Sequence, residues 1–455
     1  MHKYIKFLQT IFYYIYRRYS ATAIRLEFRF TGAGKFIFAC IIISGAVGID
    51  TRATMAFVVF SLLASIFIIS LLYTIRFKIK LNVRRVIGQY AVAKTDFRYK
   101  IFIESLSDKK QIGLEFIDMP NDPRPTLKEF LTIREPAESK RNLYDRVLAF
   151  YRWVWLIDKK NHGIKPKVIE IPALIPAKIT EIEVKITPKS RGIFSFKEII
   201  ICRGDPVGLF RAFQILPLLD TLIILPSLHP VSEILVSGVR KYNQAPFPVI
   251  MTSASSQGDS TEFYAIRDYL YGDPVRHIDW KGWAKTGKPV IKEYHEEYFS
   301  RYGLVLDTFG DGTYDEVFEG AVEVAASYLF SLKNQESLID LIFVEDDIVT
   351  ITVGRGLAHK ENAMELLALV KLSEVSFDIL SHCLREKLGT LSSLICVFIK
   401  WDSERKELVD FIRASNVNVL VLLIRDTIKD ESAVDGADIT IIDINNIRSG
   451  LKNVI

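Results

Sequence analysis

The stretch from Arg267 to Trp280 carries the densest group of side chains that could do chemistry. Arginines, aspartates, a histidine and a tryptophan lie within a few residues of one another. In a catalytic interpretation, His277 is a general base that Asp279 orients, with Asp273 beside them. No serine, cysteine or lysine nucleophile has an evident position next to this group. A hydrolase or a transferase is therefore one hypothesis for the chain.

The same charges also have a structural interpretation. Arg267 and Arg276 can form bidentate ion pairs with Asp268 and Asp273 and so fix an irregular segment against the first strand of the C-terminal domain. The alternation around His277 is typical of a strand, with the tryptophans of the stretch packed beside it. We favour this interpretation over catalysis.

Acidic residues follow two predicted strands further along the chain. Asp307 follows an apolar strand, and Asp402 follows another. Ligands of open α/β sheets bind beyond the carboxyl ends of the strands, where two carboxylates could hold a hard cation such as Mg²⁺. Alternatively, each aspartate caps the helix that follows it.

Three soluble segments are predicted after residue 78. Period-two alternation predicts a β-sandwich-like domain at residues 79–230, interrupted by a helical insert at 138–159. Residues 231–300 contain the charged stretch. Continuous apolar strands interleaved with amphipathic helices predict a doubly wound α/β domain at residues 301–455.

Two apolar runs precede these domains. Residues 56–75 contain no charge and are long enough to cross a bilayer. Residues 36–49 are shorter, but with their flanks they complete a transmembrane helical hairpin at 32–78. Basic residues concentrate outside the pair, which predicts that both termini are cytoplasmic at a bacterial inner membrane.

Residues 1–31 form a basic segment. Within it, residues 4–16 have helical periodicity, which predicts an amphipathic helix at the membrane interface. Ile5, Leu8, Phe12, Ile15 and Tyr16 are assigned to its apolar side. A partly disordered arm attracted to lipid by its charge is the alternative. The predicted partner of this segment is the lipid bilayer.

Composition excludes several classes of function. The formal charge is +5, and Glu27 and Asp50 are the only acidic residues before residue 86, so the basic excess fits anionic lipid and no nucleic acid is expected. The four cysteines form no metal-ligand spacing and are interpreted as buried apolar residues. TGAGK at residues 31–35 lacks the context of a phosphate-binding loop, because it opens an apolar span.

The charged stretch resembles the signature of a bacterial family known as domain of unknown function fifty-eight. The matching positions are Arg267, Tyr269, Gly272, Asp273, Arg276, Ile278 and Trp280, with Asp279 inside the same run. Arg191, Gly192 and the DPVGLF run at residues 205–210 extend the similarity upstream. The resemblance implies a membrane hairpin, a β-sandwich and a C-terminal domain similar to the von Willebrand factor A fold.

That fold often holds a divalent cation through an Asp-x-Ser-x-Ser run. Here Asp307 takes the first position, while Phe309 and Asp311 stand where the hydroxyl ligands would be. Asp402 matches a later acidic position. Phenylalanine offers no oxygen, so the resemblance implies a degenerate metal site at Asp307, Asp311 and Asp402, with no firmly expected cofactor.

The resemblance also implies partners. Members of the family are thought to act beside MoxR-type AAA+ ATPases, and often beside transglutaminase-like membrane proteins. We therefore expect a non-enzymatic, membrane-anchored adaptor that engages such an ATPase or its client in envelope assembly or stress response. A divalent-metal-dependent receptor is a further alternative to the hydrolase or transferase.

Overall fold

The computed structural model describes most of the chain as two compact units, Met1–Ser227 and Leu228–Ile455. The described residues are 2–47, 54–75, 77–136, 138–231, 252–253, 263–271, 273, 275, 278–294, 298–310, 316–331, 337–345, 347–353, 357–426 and 439–452. Each unit has its own sheets and is described separately.

The first unit begins with three helices, α1 (His2–Arg29), α2 (Gly32–Val47) and α3 (Thr54–Ile75). Among the described residues, Met55–Ile75 is the helix long and apolar enough to cross a membrane. At 16 residues, α2 is shorter. It packs along α3, with the rings of Phe38 and Phe67 5.7 Å apart. An apolar helix near the N-terminus therefore indicates membrane association.

The start of α2, from Thr31 to Gly34, contacts the loop of the sandwich that contains Leu209. Thr31 donates its backbone N–H to the carbonyl oxygen of Leu209 at 3.1 Å and its hydroxyl to that of Gly208 at 2.6 Å. The same hydroxyl caps α2 by accepting the N–H of Gly34 at 3.0 Å. A Cβ on Gly34 would lie 2.1 Å from the Leu209 oxygen. The TGAG run therefore forms a close joint that only glycine at position 34 allows.

Strands β1 to β8 form two sheets that share one core. Their bounds are β1 (Leu81–Val86), β2 (Tyr90–Val92), β3 (Phe97–Ser105), β4 (Leu114–Pro120), β5 (Val168–Ile171), β6 (Ile179–Ile186), β7 (Gly192–Gly204) and β8 (Arg211–Leu225). One sheet has the order β1-β3-β6 and the other β2-β8-β7-β4-β5. Alternate residues point inward, so Ile101 of the first sheet and Phe116 of the second share a core.

A charged network also joins the two sheets. Arg85 of β1 donates through Nε to Asp118 of β4 at 3.1 Å and through Nη1 to Asp220 of β8 at 2.6 Å. Tyr99 of β3 donates its hydroxyl to Asp118 at 2.7 Å. These buried groups satisfy one another across the sandwich, which fixes how the sheets face each other.

The insert is helical but is split into short helices that pack against α1. The insert at residues 138–159 contains α5 (Leu143–Leu148) and most of α6 (Phe150–Lys160), and α4 (Leu127–Thr132), which precedes the insert, packs with them against α1. Tyr13 of α1 is buried against Phe130 and Trp153, with ring centroids 5.8 Å apart in both pairs. Trp153 is thus a core residue.

The face assigned to the first helix is corrected by this packing. Phe12 and Tyr16 were predicted on one side with Leu8 and Ile15, but Tyr16 lies on the side that covers the insert, whereas Leu8 and Ile15 are exposed. The helix also runs far beyond residue 16. The periodicity was ambiguous because α1 has two apolar faces.

The second unit contains a large mixed β-sheet with helices between its strands and a separate two-stranded antiparallel sheet. The strands are β9 (Thr252–Ser253), β10 (Phe263–Asp268), β11 (Val290–Tyr294), β12 (Tyr298–Leu306), β13 (Ser337–Val344), β14 (Ile348–Val353), β15 (Ser393–Phe398), β16 (Asn418–Arg425) and β17 (Ile439–Asp443). The helices are α7 (Trp280–Thr286), α8 (Glu316–Ser331), α9 (Leu357–Leu369), α10 (Asp378–Lys387), α11 (Ser403–Ala414) and α12 (Ile447–Lys452).

Strands β14, β13, β12, β15, β16 and β17 lie side by side in that order, and β9 pairs with the start of β12. The pairs from β13 to β17 are parallel, while β14 is antiparallel to β13. All six residues of β15 are buried, as expected for a strand covered on both faces. The chain thus combines a candidate apolar membrane helix near its N-terminus with mixed α/β sheets.

Candidate functional site at the carboxyl end of the parallel sheet

The second unit has a switch point in its strand order next to β12. The chain passes from β12 to β13 on one side and later to β15 on the other side. Crevices at such points are the usual ligand sites of open α/β sheets. Asp307 follows β12 directly, so it lies at this crevice.

Both oxygens of Asp307 are fully engaged within the protein. Its Oδ2 accepts from Nε of Arg405 at 2.7 Å and from the N–H of Ile399 at 3.3 Å. Its Oδ1 accepts from Nη2 of Arg405 at 3.0 Å and from the N–H of Phe309 at 3.1 Å. A carboxylate offers about four lone-pair positions. These four donors fill them, and the side chain is fully buried.

Asp402 holds the same arginine from the other side. Its Oδ2 accepts from Nη1 of Arg405, and its Oδ1 accepts the backbone N–H of Arg405 at 3.1 Å, which makes it the N-cap of α11. Burial disfavours the charged guanidinium, but the hydrogen bonds and charges of Asp307 and Asp402 outweigh burial and raise the pKa of Arg405. Arg405 therefore stays a cation between two carboxylates.

The surrounding loops close over this ion pair. The ring of Phe377 lies 4.5 Å from the guanidinium carbon of Arg405 and packs edge-on against Phe309 at 5.2 Å. Ser373 donates its N–H to the carbonyl of Thr308 at 2.7 Å, and its own carbonyl accepts from Gly310 at 3.1 Å. Phe309, Phe377 and the loop at Ser373 thus pack around the Asp307–Arg405 pair.

These residues do not fit a divalent cation. The Asp307 lone pairs are taken, the side chain of Phe309 is buried without an oxygen, and Arg405 already supplies the positive charge. Asp311 lies outside the described residues. Within the described parts of the chain, no group of three or more His, Cys, Asp or Glu side chains gathers as a metal would need.

The sequence interpretation missed Arg405. A signal was present, because an arginine three residues after Asp402 lies on the same side of a helix that begins there. The acidic residues were noticed at the strand ends, but their common partner was not.

The charged stretch that begins at Arg267 contains a second cluster. Arg267 of β10 donates to both oxygens of Asp273, at 2.7 and 2.9 Å, and Asp273 also accepts the N–H of Leu270 at 2.9 Å. The hydrogen bonds from Arg267, followed by that from Leu270, lower the pKa of Asp273. This pair fixes the turn after β10.

The structure differs from the structural interpretation at β10, Asp268 and Asp279. The strand β10 pairs with β11 rather than with the first strand of the large sheet, and Asp268 is exposed. Asp279 is not inside a strand, because it immediately precedes α7. Ile278 pairs with Ile291, and Tyr269 donates its N–H to Pro289 at 2.9 Å. Gly272, Arg276 and His277 lie outside the described residues.

The two tryptophans of α7 form an exposed pair. Trp280 stacks on Trp283 with ring centroids 5.5 Å apart and an interplanar angle of 18°. Trp280 is nevertheless 63% exposed. Lys281 and Lys285 of the same helix are exposed as well. The stretch therefore presents an aromatic and basic surface.

Comparison with solved structures gives local likenesses only. The CARDB domain of the PF1109 protein from Pyrococcus furiosus matches 33% of this chain and 98% of its own at 9% identity, with a TM-score of 0.17. A cohesin module from a Clostridium perfringens family 33 glycoside hydrolase matches 33% of this chain and 100% of its own at 9% identity, with the same TM-score. Scores this low carry no argument about the whole fold.

Sequence comparison gives a clearer result. The chain is 26% identical over 199 residues to the uncharacterized protein YeaD of Bacillus subtilis (strain 168), which covers 44% of this chain and 47% of that protein. The chain thus matches about half the length of this curated relative. Residues 265–391 match the family described as "Protein of unknown function DUF58". Together these matches support a DUF58 protein, through a segment that runs from the Arg267–Asp273 pair to the loops around Asp307.

Proposed function

We propose that this chain is a membrane-anchored, non-enzymatic adaptor. In this proposal α2 and α3 cross the inner membrane of a bacterium as a hairpin, and both termini lie in the cytoplasm. The basic residues outside the two helices support this orientation. The sandwich is then held at the inner membrane surface through the joint between Thr31 and Leu209.

The non-enzymatic part of this proposal rests on Asp307, because both of its carboxylate oxygens are already engaged in hydrogen bonds. Catalysis at the switch point would need a carboxylate free to take up a proton or to bind a ligand. Asp307 has both oxygens engaged by Arg405 and by backbone N–H groups. Asp273 is likewise paired, with Arg267. These two carboxylates are thus used to fix the structure of the second unit.

A partner surface is supported by the exposed side chains of the charged stretch. Large apolar side chains are exposed there at Leu270, Tyr271, Val275 and Trp280. Tryptophan at the centre of such a patch is the residue type that most often dominates binding energy. The neighbouring lysines favour a partner with an acidic face.

The class of partner rests on the family resemblance. We propose a MoxR-type AAA+ ATPase or its client, in envelope assembly or stress response, with a transglutaminase-like membrane protein as a second partner. The second unit would serve as a von Willebrand factor A-like recognition domain, and the central parallel strands with helices between them support that assignment. The chain itself carries no phosphate-binding loop.

The test is affinity capture of the full chain from detergent-solubilised membranes of its native host. The proposal predicts that an AAA+ ATPase co-purifies and that Asp402→Asn, which changes a charge without touching the exposed tryptophan, preserves the capture. If no ATPase co-purifies with the intact membrane form, the adaptor function is wrong. Hydrolytic turnover that depends on Asp279 would favour an enzyme instead.

A further inference from the structure

One face of helix α1 packs against other residues of the protein. Gln9 is buried and donates to the carbonyl oxygen of Arg146 at 3.0 Å. Tyr13 donates its hydroxyl to Pro125 at 3.2 Å, and Tyr16 donates to Leu148 at 3.1 Å. These residues recur at helical spacing and attach α1 to the layer formed by α4, α5 and α6.

A second apolar face of the same helix points away from that layer. Its exposed members are Tyr4, Phe7, Leu8, Ile11, Tyr14 and Ile15. They recur at intervals of three and four residues, so they form one continuous stripe. We call this stripe the outward face of α1. A contiguous row of large apolar side chains is rare on a surface that meets only water.

Exposed basic side chains lie on more than one side of α1. Arg18 is exposed and lies four residues after Tyr14 on the same side, whereas the exposed Lys6 and Arg17 lie on the side of Tyr13, to whose hydroxyl Arg17 donates at 2.8 Å. Glu27 is the only acidic residue of the helix. Tyrosine is enriched where a membrane meets water, because its ring is apolar and its hydroxyl is polar. The stripe therefore combines apolar area, tyrosines and positive charge, which is the composition of an interfacial helix.

The helix is also continuous with the candidate membrane anchor. Two residues separate the end of α1 at Arg29 from the start of α2 at Gly32. Phe30 packs against Phe38 at 6.3 Å, Phe67 at 6.2 Å and Phe210 at 4.9 Å, which holds the end of α1 at the base of the helix pair. Helix α1 therefore ends beside the helix pair, at the level where the surface of a bilayer would lie.

We propose that the outward face of α1 binds the anionic surface of the lipid bilayer. This inference rests on the proposed membrane anchor. The apolar stripe enters the boundary between headgroups and acyl chains, while Arg18, on the same side of the helix, contacts anionic headgroups. Because the opposite face holds α4, α5 and α6, the contact also fixes the helical layer and the attached sandwich against the membrane.

The experiment places a fluorescent label on the full chain in vesicles. The label is attached at Ile11→Cys, on the outward face, or at Thr10→Cys, one residue away on another side of the helix, in a Cys40→Ser background. Vesicles contain phosphatidylcholine alone or with phosphatidylglycerol, and part of the lipid carries brominated acyl chains as a quencher. We expect strong quenching at position 11, weaker quenching at position 10, and a larger difference with phosphatidylglycerol.

Charge variants test the headgroup contact. Arg18→Gln is expected to weaken docking of the labelled helix about fivefold with phosphatidylglycerol, because one basic residue near an anionic surface contributes about that factor. Lys6→Gln, which removes a charge from the Tyr13 side of the helix, should have a smaller effect. With phosphatidylcholine alone, the same substitutions should have little effect. Equal loss in both lipids would contradict binding of anionic headgroups.

The outcomes separate this inference from the membrane anchor. If the chain is washed off the vesicles by alkaline carbonate, the anchor fails and the inference fails with it. If the chain stays bound but the label at position 11 is quenched no more than the label at position 10, the lipid-binding face alone is wrong. Energy transfer between labels on different copies, in place of quenching by lipid, would show that a second copy covers the stripe and would also overturn the inference.

Discussion

Arg405 donates two parallel hydrogen bonds to Asp307, a carboxylate 98 residues earlier in the chain, from Nε at 2.7 Å and from Nη2 at 3.0 Å. The pair connects the end of β12 with the first turn of α11. It lies at the switch point of the sheet, where a ligand or an ion would otherwise bind. The chain thus supplies its own cation at this position.

Removing Arg405 should therefore destabilise the second unit strongly. Arg405→Gln leaves Asp307 buried without its partner, which costs about 3–5 kcal/mol when a buried pair is broken from one side. Native-state hydrogen exchange should show the loss as faster exchange of the β12 and β15 amides. The matched control is Arg413→Gln, an exposed arginine of the same helix, which should change exchange little.

The double variant Asp307→Asn with Arg405→Gln should recover part of this stability. It leaves no unpaired buried charge, because two neutral amides replace the two ions. If the double variant is as unstable as the sum of the single variants, Asp307 and Arg405 do not act as a pair.

Gly34→Ala should disturb the joint between the helix pair and the sandwich. The new Cβ would overlap the Leu209 carbonyl, and overpacking of this kind costs about 1–3 kcal/mol. Gly32→Ala is the control, since no atom lies within 4 Å of a Cβ placed there. Limited proteolysis near residues 205–210 should become faster for Gly34→Ala and stay unchanged for Gly32→Ala. Equal rates for both variants would contradict a close joint.

The buried cysteines should resist alkylation in the folded protein. Burial raises the pKa of the Cys202 and Cys396 thiols to about 12. At about pH 9, on the order of one such thiol in a thousand is ionised, and the thiolate is the reactive form. Mass spectrometry after treatment with iodoacetamide should find both unmodified in the native chain and both modified after denaturation in urea. Rapid labelling of either in the native state would contradict its burial.

Trp280→Ala should weaken capture of the proposed partner without unfolding the chain. The side chain is mostly exposed, so its removal costs little stability, whereas a central tryptophan of an interface is worth 2 kcal/mol or more, roughly a thirtyfold loss in affinity. Leu219→Ala is the control, because Leu219 is also exposed but lies on β8 of the first unit. If Trp280→Ala captures as much partner as the unchanged chain does, the α7 surface does not bind the partner.

Local patterns in the sequence account for much of the fold. Alternation in FRYKIFIES predicted β3, and the uncharged run at residues 56–75 predicted α3, since each signal repeats along one element. The apolar strand predicted before Asp307 is observed as β12. The break at Ala149, which has a left-handed backbone conformation with φ of 51°, had no such signal.

Long-range relationships account for what the sequence did not show. Asp307 and Asp402 were identified as strand-end carboxylates, but their shared partner Arg405 becomes evident only when β12 and β15 lie side by side. The TGAG run was dismissed as a false phosphate loop, yet Gly34 has a role that depends on Leu209, far along the chain. Helical periodicity found the apolar residues of α1 but could not divide them between a protein-facing and an outward face.

The most direct test of the central claim is a calorimetric titration of the full chain in detergent with Mg²⁺ and with Mn²⁺. If Arg405 is the resident cation of the switch point, the unchanged chain and its Asp307→Asn variant should give the same heats, with no binding that depends on Asp307. One-to-one binding of either ion that disappears in Asp307→Asn would contradict the account, because it would show that Asp307 releases Arg405 to hold a metal.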